Sequence, residues 1–163
     1  METMETKAGD SKTSGISMLF LWKYLNKTGL ITRKDGDRLV MNFAPDSDMI
    51  FEWSEDIFSM KIKVPVNDDD LEGISLFSDR MMSINTLTKI YLAEDGNDIR
   101  LWFSTGFFCW TQEQFKAYFD KVFNELVNTT VDFLNILGVA LDVYKSEVKR
   151  IVLQMSKSDV PLS

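Results

Sequence analysis

Apolar side chains along this chain recur in two rhythms, every second residue in some stretches and every third or fourth in others, and the changes of rhythm mark its elements. The clearest two-residue rhythm runs from Phe58 to Val66, where Phe58, Met60, Ile62, Val64 and Val66 point one way and Lys61 and Lys63 the other. Ahead of it, Asp35-Gly36-Asp37 turns the chain into Arg38 to Phe43, Pro45 to Asp48 break that run, Met49 to Trp53 resume it, and Ser54-Glu55-Asp56 break it again. Three strands joined by short turns make an antiparallel meander. A second β pair follows, Thr86 to Ala93 and Asp98 to Ser104, joined by Glu94-Asp95-Gly96-Asn97, whose Asp-Gly step suits a tight hairpin turn.

The slower rhythm predicts three helices. In the first, Ile16 to Thr28, Met18, Leu19, Trp22 and Leu25 share a face, and Gly29 stands where a C-terminal glycine cap ends a helix. The second begins after the acidic run Asp68, Asp69, Asp70 and Glu72, carboxylates that offset the positive end of a helix dipole, and carries Leu71, Ile74, Phe77, Met81 and Met82 to about Ile84. The third opens on Thr111 with Gln114 three residues on, the form of a capping box, and lays Phe115, Phe119, Val122, Leu126, Phe133 and Leu137 along one stripe. The pattern continues past Gly138 through Leu141, Tyr144, Val148 and Ile151. One unbroken helix from Thr111 to Met155 would be about 65 Å long, so a bend or break near Gly138 is expected, or a C-terminal helix packed on a second subunit.

The order is helix, three strands, helix, two strands, helix: an α+β domain of two layers, a five-stranded antiparallel sheet packed with helices over residues 15–155. Residues 1–14 and 156–163 are expected to be tails, the first of them disordered. This order, with Leu76 to Asn85 leading into Lys89-Ile90-Tyr91-Leu92, the Asp95-Gly96 turn and Ile99 to Phe103, resembles the bacterial sensory-transduction-regulator family of YbjN type. That family shares the fold of type III secretion chaperones. The resemblance spans about residues 16–138 and implies a non-catalytic protein that binds other proteins, often as a homodimer, with no catalytic residue to carry over.

Composition narrows the chemistry. The 163 residues are 45% hydrophobic, enough for one core without disulfides, and carry a net charge of -7, which disfavours nucleic acid and anionic membranes as partners. The charge is uneven, since residues 145–163 hold four basic and two acidic groups while the rest is net acidic. With one cysteine and no secretory signal, a cytoplasmic protein is expected, and no segment reads as long and apolar enough to span a bilayer. Histidine is absent, so Ser-His and Cys-His nucleophile pairs and histidine metal sites cannot be built. Cys109 sits between Phe107-Phe108 and Trp110, an apolar setting for a small core residue rather than a nucleophile. The acidic run at Asp68 and the cluster Asp95, Asn97, Asp98 lack the ligand spacing of a calcium loop and read as capping and turn residues. Neither a P-loop nor a dinucleotide glycine motif occurs among the eight glycines, and no cofactor is expected.

What remains is surface for partners. If Met41, Phe51, Ile62, Leu92 and Leu101 face the helices, Val40, Ile50, Tyr91 and Trp102 fall on the opposite face of the sheet as a candidate partner-binding patch, unless the extra C-terminal helix covers them. The expected function is non-catalytic capture of a peptide segment of a partner protein of unknown identity, by a chaperone-like or regulatory homodimer. The alternatives are a small-ligand-binding regulatory domain with a pocket lined by Trp22, Phe119 and Phe123, and third a hydrolase working through carboxylates alone.

Overall fold

The computed structural model describes residues 16–82 and 87–159. Helix α1, Met18–Lys27, starts where the Ser17 hydroxyl accepts the Phe20 amide at 3.2 Å and stops at Gly29, whose φ of 95° admits the left-handed turn that lets the Leu30 amide reach the Leu25 carbonyl at 2.9 Å. Four strands follow, β1 Arg33–Asp35, β2 Arg38–Ala44, β3 Ser47–Ser54 and β4 Ile57–Pro65. A single 3-10 turn, Asp68–Asp70, leads into α2, Leu71–Met82, and then come the hairpin of β5 Lys89–Asp95 and β6 Asp98–Phe108 and the long helix α3, Gln112–Asp159. The start of the hairpin at Thr86 and the end of the second helix at Ile84 fall outside the described residues.

The class expected from the pattern is the class observed, with six strands among the described residues in place of five, in the order β1-β2-β3-β4-β6-β5 and every pairing antiparallel. The added strand is β1. Its three residues, Arg33, Lys34 and Asp35, are all exposed and polar, so it carries no apolar alternation and is ordered by pairing with β2 across the Gly36 turn.

The three α-helices among the described residues lie on one face of the sheet. Leu39, Met49, Phe51, Phe58, Met60, Ile62, Ile90, Leu101 and Phe103 are in register across the strands on that face and are buried there. Helix α3 crosses the middle: Phe115 meets Phe58 edge-on with centroids 4.9 Å apart, and Phe133 meets Phe103 at 5.3 Å and Phe77 of α2 at 5.0 Å. Helix α1 packs on the beginning of α3 through Tyr24 against Phe115 and Phe119. The capping box forms, with the Thr111 hydroxyl accepting the Gln114 amide at 3.1 Å while the Gln114 side chain accepts the Thr111 and Trp110 amides.

The chain departs from expectation most at α3, which runs unbroken through Gly138 for 48 residues, about 72 Å at the usual rise. Nothing lies within 4 Å of where a Gly138 Cβ would stand, so the glycine does not break the helix and admits no close neighbour. Compactness was the wrong criterion. The first half of the helix is paid for by the sheet, and the second leaves the domain, absorbing the expected tail as far as Asp159. The same helix corrects the membrane expectation: by length and composition alone α3 is long and apolar enough to cross a bilayer, because its core stripe and the run Ile136 to Leu141 fall in one segment.

Candidate interaction surfaces

Cross-strand register places Val40, Ile50, Tyr91 and Trp102 on the face of the sheet away from the helices, as the alternation requires, but not as one patch. Tyr91 pairs with Trp102 and Val40 with Ile50, and Lys61 and Lys63 of β4 stand between the two pairs. Val40 and Ile50 are only 3% and 2% exposed, which removes them from any docking surface. Two ion pairs bracket them, Arg33 reaching across β2 to Asp48 at 3.9 Å and Lys61 reaching Glu52 at 3.2 Å, and long charged side chains cover neighbouring apolar surface along their stems. Tyr91 remains exposed. Trp102 is half-buried, its indole N–H donating to the Ala93 carbonyl at 3.4 Å and the Lys63 ammonium lying 5.9 Å from its ring centre.

Beside Trp102, Lys63 also donates to Asp95 at 2.9 Å, with the Arg100 guanidinium 3.8 Å from the same carboxylate. The Lys63 hydrogen bond holds the Asp95 carboxyl below the usual aspartate range against a smaller opposing effect of burial. A carboxyl whose pKa is lower folded than unfolded contributes stability that is present above the unfolded value and is lost as pH falls through the folded one. Asp95→Asn is therefore expected to lower the denaturant midpoint at neutral pH and to converge with the parent chain as pH drops below the aspartate range. An offset independent of pH would show that the ion pair is not its cause.

Three apolar surfaces stand out that were not assembled from the sequence. Ile57 and Phe108 pair across β4 and β6 at the end of the sheet, and Trp110 stacks on Phe108 with centroids 6.3 Å apart, all three exposed. Periodicity alone could not find this patch, because β6 runs four residues beyond the expected Ser104. The second surface is a groove of about 420 Å³ lined by Leu71, Glu72 and Ser75 of α2, by Leu92, Ala93 and Glu94 of β5 and by Ile99 of β6. It runs beside an open edge, since among the described residues β5 pairs only with β6. The third is the overhang of α3, where every residue from Lys145 to Lys157 is exposed.

Chemistry finds less purchase. Among the described residues no group of three or more His, Cys, Asp or Glu side chains gathers to hold a metal. Cys109 is fully buried and its burial pushes the thiol up. The acidic run stands in the first turns as expected, Asp68, Asp69 and Asp70 in the 3-10 turn and Glu72 in α2, though the Asn67 side chain that precedes the 3-10 turn makes no cap hydrogen bond; Asp70 also pairs with Lys145 of α3 at 2.9 Å and Glu72 accepts the Tyr144 hydroxyl at 2.7 Å. Trp22, Phe119 and Phe123 do not share a pocket. Phe119 is core, stacked on Phe115 and Phe123, while the groove beside Trp22 is lined by Met18, Leu19, Lys34 and Leu39.

No protein-family model matches this chain, and no curated protein matches it. Among solved structures, the crystal structure of YbjN from E. coli, described as a candidate transcription regulator, superposes with a TM-score of 0.56 over 81% of this chain and 94% of that one, at 14% identity. A likeness at that identity is a likeness of fold, and it agrees with the arrangement of sheet and helices given above.

Proposed function

We propose that this chain is a protein-binding domain of regulatory or chaperone-like role that acts without catalysis, by adding an extended segment of another protein to the open edge of its sheet. The observation that carries this reading is the coincidence of edge and groove. Strand β5 offers a row of backbone donors and acceptors on its outer side, and Leu71, Leu92 and Ile99 line an apolar trough within reach of every second side chain of an added strand. Glu72 and Glu94 stand in the same trough. The preferred segment alternates apolar with basic residues, because an acidic rim discriminates by charge while the backbone supplies affinity.

A random peptide library panned on the full chain tests this. Peptides with that alternation are expected to be enriched, and Ile99→Glu, at a position 37% exposed, is expected to weaken them by at least about tenfold, roughly 1.4 kcal/mol, with unchanged far-UV circular dichroism. Enrichment of no such peptides, or peptides indifferent to Ile99→Glu, would overturn the reading.

A further inference from the structure

The stripe that seats α3 on the sheet does not end with the sheet. Leu137, Leu141, Tyr144, Val148, Ile151 and Met155 follow one another at steps of four, three, four, three and four, the 3.5-residue period of a helix seam. Leu137 is in the core, and Leu141 and Tyr144 lie against α2, where a Cβ on Gly73 would stand 2.8 Å from Leu141. Beyond Lys145 no described side chain covers the seam, and Val148, Ile151 and Met155 are all exposed, with Val152 and Leu153 beside them. Helices hold their shape in water chiefly through packing of an apolar face, and these thirteen residues extend α3 without that support.

Charge selects what covers them. A chain of net charge -7 repels its own copies over most of its surface, but residues 145–163 carry four basic groups against two acidic ones. Asp69, Asp70, Glu72 and Asp142 stand at the root of this basic arm, around Lys145 and Tyr144. Two overhangs laid antiparallel bring the Lys157 end of each beside that acidic root of the other, and they set the helix dipoles head to tail. Lys145, Glu147, Lys149 and Arg150, four charges in six residues, disfavour a hydrocarbon interior as the cover.

We infer that the overhang of α3 is the seam of an antiparallel homodimer, with Val148 of each copy packed on Ile151 of the other and Tyr144 facing Met155. This surface meets the groove beside β5 at Glu72, which lines the groove and accepts the Tyr144 hydroxyl, but the tests read Ile99 in one and Val148 with Ile151 in the other, so either assignment can fail without the other. Light scattering after size exclusion is expected to give twice the 18.8 kDa of one chain, and Val148→Glu with Ile151→Glu is expected to return it to one chain with folded circular dichroism. Under mild oxidation, Val148→Cys protein is expected to link to Ile151→Cys protein, while Met155→Cys protein does not link to itself. A single-chain mass for the parent protein, a dimer that survives Val148→Glu with Ile151→Glu, self-linking of Met155→Cys, or a parent chain that stays monomeric and binds vesicles of anionic lipid through the overhang would each overturn the inference.

Discussion

Phe58→Ala is expected to cost about 3–5 kcal/mol, the range for emptying a buried phenylalanine site, and to be among the most destabilising single changes in the chain. Phe58 is fully buried in β4 and its ring is met by Phe51 of β3, Phe107 of β6, and Phe115 and Phe119 of α3, with centroids between 4.9 and 6.2 Å away. It therefore ties the strands to the helix layer, and a hole there has rings on several sides that cannot all collapse into it. Domains of this kind are stable by only about 5–15 kcal/mol, so the variant should unfold at a much lower denaturant midpoint. A loss below about 1 kcal/mol would mean that the aromatic cluster is not where sheet and helices are joined.

Gly106→Ala is the second large effect, about 1–3 kcal/mol, through crowding rather than a cavity. A Cβ at Gly106 would stand 2.8 Å from the Phe58 carbonyl oxygen and 3.4 Å from the Ser59 Cα, both backbone atoms of the paired strand, which cannot yield without opening the β4–β6 ladder. Gly73→Ala is the control. Its Cβ would stand as close to the far methyl of Leu141 and 3.3 Å from the Tyr144 ring, side-chain atoms that can shift where backbone cannot, and alanine gains helix propensity there, so a smaller loss than at Gly106 is expected. Equal losses at the two sites, by urea titration, would show that backbone approach does not decide the cost.

Much of the fold was legible because it rests on periods. Phe58 to Val66 alternates so cleanly that it places β4 to within a residue, and Gly29, Thr111 and Gln114 mark helix ends that the caps confirm, while the Ser17 cap of α1 is not marked by the pattern. What failed had no periodic signature. β1 is three polar residues, and the last four residues of β6 follow their partner strand through Thr105 and Gly106 rather than any alternation of their own. The helix beyond Gly138 was visible as a pattern, yet compactness argued for a break, because one chain cannot reveal whether a second will cover a face.

The surfaces divide in the same way. Alternation assigns Val40, Ile50, Tyr91 and Trp102 to the outer face of the sheet, but exposure depends on neighbours from other strands, and Arg33 and Lys61 flank the first pair in the register from positions that no local window joins to 40 and 50. The groove beside β5 was out of reach for a related reason, since Leu71, Leu92 and Ile99 meet only after α2 has folded back on the hairpin.

The most direct measurement is hydrogen–deuterium exchange on the full chain with and without a selected peptide at saturation. Amides of Lys89 to Asp95 are expected to slow on the side of β5 that faces away from β6, with α2 close behind and the β1 edge unchanged. Protection confined to other elements, with the β5 amides exchanging as fast as in the unliganded chain, would contradict capture at this edge.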